Sequence, residues 1–139
     1  MVLVRRFPAE PWAVSAARRL VQMATADMPE GVAGDADLIV SELMTNAVRH
    51  GAGPVEVRLR SRTGEPFGIE VLDQGPGFEP EIPPGPASVD ATAGRGLHVV
   101  DQLADRWGIS PRGGTWAELR TRDKHRHHAG LQPQVQGPE

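Results

Sequence analysis

The 139-residue chain has no cysteine. Disulfides, thiolate metal sites and cysteine nucleophiles are thereby excluded. Lysine is almost missing as well: Lys124 is the single example, so 14 of the 15 basic residues are arginine. No stretch approaches the roughly 18 consecutive apolar residues that mark a membrane span. The start, Met1-Val-Leu-Val-Arg-Arg, lacks the apolar run and small-residue cleavage site of a secretory leader. A cytoplasmic protein with no membrane contact is expected. The net charge of −3 and the pI near 5.9 show no surplus of positive charge, so no direct nucleic-acid partner is expected.

What is present reads as one soluble domain with an ordinary share of hydrophobic (39%) and charged (24%) residues. Val2 to Phe7 is expected as a strand, interrupted by Pro8 and Pro11. Pro11 suits a helix start, where no amide donor is needed. From Trp12 to Asp27, Ala13, Ala16, Ala17, Leu20 and Ala24 recur at helical spacing, with Arg18, Arg19 and Gln22 facing away as a solvated surface. Pro29-Glu30-Gly31 to Gly34 reads as a turn, and Asp35 or Asp37 as the cap of the helix that follows. Gly51-Ala52-Gly53-Pro54 ends that helix. Val55 to Arg60 alternates with period two and is a half-buried strand. A turn at Thr63-Gly64-Glu65-Pro66 leads to a strand from Phe67 to Leu72. From Gly75 to Gly94, 9 of 20 residues are Gly or Pro, which suits neither a helix nor a central strand and reads as a lid or binding loop. Helical spacing resumes at Gly96-Leu97 and runs to about Asp105. Trp107 to Ser110 and Thr115 to Arg120 are two more strands joined by Pro111-Arg-Gly-Gly114. From Arg122 to Glu139 the composition turns polar and reads as a disordered tail; its His125, His127 and His128 are not taken as a functional metal site.

The order strand, helix, helix, strand, strand, lid, helix, strand, strand predicts an α+β fold. A mixed, mostly antiparallel sheet would carry its helices on one face, a two-layer α/β sandwich. The expected domain spans residues 1–121, followed by the tail at 122–139.

Three stretches carry chemistry. In Asp35 to Gly51, Glu42, Asn46 and Arg49 share one face of the expected helix, opposite Val40, Leu43, Met44 and Ala47. Alone, that face reads more readily as a solvated polar stripe with an i,i+4 pair. Asp73-Gln-Gly75-Pro-Gly77 lies where a strand leaves the sheet. A carboxylate there can accept from an exocyclic amine or merely close a turn, and the glycines let backbone approach a ligand or merely bend. Gly94-Arg95-Gly96-Leu97 opens a helix, where free amides and the helix dipole favour an anion, and Arg95 and Arg49 add cationic donors. Together these supply an amine acceptor, a phosphate cradle, an amide and a carboxylate. Phosphoryl transfer uses such parts, with a metal bridging the phosphates and a carboxylate orienting the nucleophile.

On these residues the chain resembles the GHKL (Bergerat-fold) ATPase superfamily, and within it the small anti-sigma-factor serine/threonine kinases. Ser41-Glu42-Leu-Met-Thr-Asn46-Ala-Val-Arg49-His50-Gly51 is similar to the N box. Asp73-Gln-Gly75-Pro-Gly77-Phe78 is similar to the first Gly box, and Gly94-Arg95-Gly96-Leu97 through Trp107-Gly108 to the second. Gly114-Thr115-Trp116-Ala117-Glu118-Leu119 resembles the closing strand. The resemblance covers about residues 5 to 120. It implies ATP and Mg²⁺ as cofactors, with Asn46 as the metal ligand and Glu42 as the catalytic base. It further implies that Asp73 reads the adenine amine with Thr115 in support, that Gly75 and Gly77 shape the pocket, and that Gly94, Arg95, Gly96 and Leu97 meet the phosphates, flanked by Arg49 and His50. The implied substrate is a serine or threonine of an anti-sigma-factor antagonist of the STAS type, with a sigma factor as second partner and a homodimer as the assembly. Many relatives carry a lysine in the turn before the closing strand; here Arg112 is the cation available at that place.

Two other functions fit the same residues. One is an ATP-sensing switch that sequesters a partner without phosphotransfer, for which Glu42 is superfluous. The other is the catalytic domain of a sensor histidine kinase, ranked last because nothing before Trp12 reads as a phosphoacceptor helical hairpin.

Overall fold

A computed structural model describes residues 1–50, 53–73 and 92–121, with side chains from Leu97 onward in the last of these. The elements in chain order are β1 (Val2–Phe7), α1 (Trp12–Ala24), α2 (Glu30–His50), β2 (Val55–Arg60), β3 (Phe67–Leu72), α3 (Thr92–Leu103), β4 (Arg106–Ser110) and β5 (Gly114–Leu119). The strands form one five-stranded sheet in the order β1-β2-β3-β5-β4. All four pairings are antiparallel, so the expected mixed character is absent among the described residues.

Strand alternation sets the two faces of the sheet. Val55, Val57, Leu59, Phe67, Ile69, Val71, Ala117 and Leu119 point into one core and are all but inaccessible to solvent. The helices cover that face. α2 lies in the middle of the helical layer, packed on β3 and β5, with α1 on one flank and α3 on the other. Its stripe Val32, Ala36, Ile39, Val40, Leu43, Met44 and Ala47 is buried along almost the whole helix, which is what a central helix needs to seal a sheet. Burying a Leu- or Ile-sized side chain is worth about 1.5–3 kcal/mol, so this stripe anchors the layer.

Two expectations about the helices need correction. The turn placed at Glu30 to Gly34 is helix: α2 starts at Glu30, directly after Pro29, whose carbonyl accepts from the Ala33 amide at 3.0 Å. Gly31 and Gly34 are tolerated because Val32 and Ala36 carry the apolar stripe backwards, and Glu30 complements the helix dipole. Asp37 therefore caps nothing. It lies well inside α2 and accepts from Arg18 Nη2 at 2.8 Å, Arg18 Nε at 3.1 Å and Gln22 Nε2 at 3.1 Å. Arg18 and Gln22, read as a solvated face, are instead the polar seam between α1 and α2. α1 itself stops at Ala24, where the Thr25 hydroxyl bonds back to the Val21 carbonyl at 2.8 Å.

The last hairpin is tight. The Gly113 amide donates to the Ser110 carbonyl at 3.0 Å, and Gly113 and Gly114 adopt φ of 98° and 155°. The expected end of α2 at Gly51-Ala52, the Gly/Pro-rich stretch with Gly75, Gly77 and Phe78, and the tail at 122–139 lie outside the described residues.

Candidate functional site

α2 carries the first group of expected site residues because its inner stripe faces the sheet and leaves the flank opposite open. Glu42 and Asn46 are half-buried on that flank, and Arg49 and His50 are exposed in its last turn. Glu42 and Asn46 are one turn apart, about 6 Å along the axis. Among the described residues, the side chains of Glu42, Asn46 and Arg49 make no hydrogen bond or ion pair. Arg6, Arg18, Arg58, Arg60, Arg106 and Arg112 all hold a carboxylate. Thr45, on the same side of the helix, satisfies its hydroxyl on the Ser41 carbonyl at 2.7 Å. The open face thus presents an acceptor, an amide and a cation in sequence along about two turns.

Asp73 enters from the sheet. It follows Leu72 at the end of β3, half-buried, and its amide donates to the Gly113 carbonyl at 3.0 Å. Register places Val71 opposite Thr115 and Leu72 opposite Gly114. Continuing the alternation, Asp73 and Thr115 are diagonal neighbours on the helix-covered side, a relation that puts side chains roughly 7–8 Å apart. By register, Asp73 stands one diagonal step from Thr115 at the end of β3, where it also borders a depression with Arg6, Glu56, Leu72 and Arg112.

α3 supplies the third group. It starts at Thr92, so Gly94, Arg95 and Gly96 occupy its first turns rather than the residues before it. Gly94 to Gly96 are described as helical backbone only. Leu97 is 3% exposed and packs in the core with Val100 and Ala104. Farther along, Asp101 accepts from the Trp107 indole at 2.9 Å and ties α3 to β4. Gly75 and Gly77 lie outside the described residues.

The cation expected to replace a lysine before the closing strand goes elsewhere. Arg112 Nη2 donates to Glu70 Oε1 at 2.9 Å, and the Ser110 hydroxyl donates to Glu70 Oε2 at 2.7 Å. Glu70 alternates with Ile69 and Val71, so it projects from the sheet face that the helices do not cover. Arg112 is thus held on the side away from α2. The sequence carried a signal for this: Glu70 and Glu118 sit at the off-core positions of two otherwise apolar strands, where a carboxylate needs a cationic neighbour.

The Histidine kinase-like ATPase domain family matches residues 7–121. The chain belongs to that family. Membership implies an ATP-binding regulatory domain, and the two-layer sandwich with an antiparallel sheet is consistent with it. An uncharacterized protein of Streptomyces coelicolor is 38% identical over 76 residues, covering 53% of this chain and 71% of that protein. Blue-light-activated histidine kinase 2 of Erythrobacter litoralis is 35% identical over 103 residues, covering 68% of this chain and 28% of that protein. The ATPase-type chain therefore spans less than a third of the kinase it resembles. Among the described residues, no helix is long and apolar enough to cross a membrane.

Proposed function

We propose that this histidine kinase-like ATPase domain is a cytoplasmic, ATP- and Mg²⁺-dependent protein serine/threonine kinase of the anti-sigma-factor type. Its substrate is a serine or threonine on a STAS-type antagonist, and through that antagonist it regulates a sigma factor; the working unit is a homodimer. The observation that carries this reading is the α2 face on which Glu42 and Asn46 are half-buried beside the exposed Arg49, with no partner for any of the three within the described residues. A solvated stripe has no reason to keep a carboxylate and an amide half-buried and unpaired, because each such group forgoes part of its hydration.

The residues fit the cofactors. Mg²⁺ typically takes one or two protein oxygens and completes its shell with water and phosphate. The Asn46 amide oxygen meets that need, whereas no cluster of three or more His, Asp or Glu among the described residues forms a metal cage of its own. In this reading Mg²⁺ neutralises charge on the phosphates. Glu42 takes the proton of the attacking hydroxyl. Asp73 accepts from the adenine amine beside Thr115. The free amides at the start of α3 meet the phosphates beside Gly94, Arg95, Gly96 and Leu97, with Arg95 and Arg49 as cations and His50 flanking them, and Gly75 and Gly77 line the nucleotide.

A second reading, transfer to histidine, is favoured by the likeness to the blue-light-activated histidine kinase. One experiment divides the readings. The chain is incubated with γ-labelled ATP, Mg²⁺ and candidate antagonists. Acid-stable label on serine or threonine, lowered at least 100-fold by Glu42→Gln, is the expected result. Acid-labile label supports the histidine reading. ATP-dependent partner capture with no label supports a switch without phosphotransfer. If Glu42→Gln leaves transfer unchanged, Glu42 is not the base.

A further inference from the structure

The face of the sheet turned away from the helices is built as a lattice of arginine and glutamate. One row across the strands reads Val4, Arg58, Glu70, Trp116, Gly108; the next reads Val2, Arg60, Gly68, Glu118, Arg106. Glu56 holds Arg6 and Arg58, Glu118 holds Arg60 and Arg106, and Glu70 holds Arg112. Five guanidinium groups thus share three carboxylates, a surplus of two positive charges on this face of a chain whose net charge is −3. Each guanidinium has five N–H donors in a fork, so the donors outnumber the acceptors still more than the charges do.

The centre of the lattice is hollow. Gly68 has no side chain, Arg60 crosses above it to reach Glu118, and a depression of about 220 Å³ opens between Arg58, Arg112 and Trp116. Trp116 forms its floor, 1% exposed, and its indole N–H has no acceptor among the described residues. On the rim, Val2 and Val4 are 65% and 41% exposed. The depression is below the roughly 300–1,000 Å³ of small-molecule pockets, and its size suits a single side chain.

We propose that this open sheet face docks an acidic, extended segment of a partner protein, with one carboxylate side chain seated between Arg58 and Arg112 and apolar neighbours on Val2 and Val4. Charge decides the occupant. A second copy of the chain would bring two surplus-positive faces together. A nucleic-acid backbone would meet Glu56, Glu70 and Glu118 interspersed among the arginines. An acidic peptide instead uses the surplus donors one carboxylate at a time, in the geometry the lattice already uses for its own glutamates. The five strands span about 19 Å, which an extended segment of about six residues covers. The inference does not rest on nucleotide binding.

The test is titration of the full chain, followed by ¹⁵N amide shifts, with a Glu-Val alternating peptide of about six residues, the same peptide with Lys for Glu, and a short DNA duplex. The expected result is binding of the acidic peptide alone, with shifts confined to the sheet, in β1, β2, β3 and β5, weakened about tenfold by Arg58→Glu and also by raised salt. Should Arg58→Glu fail to fold, the shift map and the salt dependence of the native chain decide the matter. No binding, equal binding of the lysine peptide, a preference for DNA, or a homodimer broken by Val4→Arg would each overturn the proposal.

Discussion

The backbone amide of Asp73 is hydrogen-bonded to the carbonyl of Gly113, at 3.0 Å. This bond joins the end of β3 to the turn that begins β5, and so fixes the candidate adenine-reading residue against the strand that carries Thr115. The turn depends on Gly114. Its φ of 155° is one that side-chain-bearing residues rarely adopt, and a Cβ there would overlap the Val71 carbonyl oxygen and sit 2.8 Å from the Leu72 Cα. Both obstacles are backbone of a central strand, which cannot move aside without breaking the sheet.

Gly114→Ala is therefore expected to cost about 3 kcal/mol or more, in the range of the large single-site effects. Gly64→Ala is the internal comparison. Gly64 also has a positive φ, 82°, but nothing lies within 4 Å of its added Cβ, so only the left-handed backbone term of about 1–2 kcal/mol applies. Urea unfolding of the two variants measures the difference. Equal costs would mean that the β4–β5 turn relaxes freely and does not hold Asp73.

Arg112 is expected to leave nucleotide affinity unchanged when replaced by alanine, because Glu70 holds its guanidinium on the face away from α2. Its pair is 56% exposed on the arginine side, and such pairs are worth roughly 0.2–1 kcal/mol. ATP titration of Arg112→Ala checks this. A tenfold loss of affinity would restore the phosphate contact that the resemblance assigns to this turn.

Asp37 makes stability depend on pH. Its hydrogen bonds from Arg18 hold the carboxyl below its ordinary value, with further help from Gln22 and from the charge of Arg18, against the opposing effect of partial burial. A depressed folded-state pKa means that the stabilisation is fully present above the unfolded value of about 3.9 and is lost as pH falls through the folded value. Thermal unfolding of the native chain and of Asp37→Asn should therefore differ at pH 7 and converge as the pH drops below about 3.9. A constant difference across that window would show that the α1–α2 seam gains nothing from ionisation of Asp37.

How much of this was readable from residues alone depended on local pattern. The inward stripe of α2 and the alternation of β2 follow from spacing, and so does the placement of Glu42, Asn46 and Arg49 on one flank. Gly31 and Gly34 misled the reading, because glycine weighs against a helix locally while the burial of Val32 and Ala36 against the rest of the layer outweighs it. The Arg18–Asp37 seam and the arginine lattice were not legible. Both pair residues far apart in sequence, Arg18 with Asp37 and Arg60 with Glu118, and depend on which strand lies beside which. The exchange of β4 and β5 at the sheet edge is the kind of order that periodicity does not encode.

Asn46 offers the sharpest separation of function from stability. Its half-buried amide makes no hydrogen bond among the described residues, so truncation leaves no buried partner orphaned and escapes the usual penalty of about 1–3 kcal/mol. Alanine is also the better helix former, by roughly 0.5 kcal/mol. Asn46→Ala should accordingly be as stable as the native chain or slightly more so, while losing about tenfold in ATP affinity when Mg²⁺ is present and little when it is chelated. Unfolding midpoints and ATP titrations with and without a chelator measure the two effects side by side. A variant that is less stable by more than about 1 kcal/mol would make Asn46 a structural residue of α2. An affinity loss of equal size in both titrations would remove the metal from its role. The expected opposition, stability kept and metal-dependent affinity lost, is the relation a site residue shows when its chemistry, and not its packing, accounts for its presence.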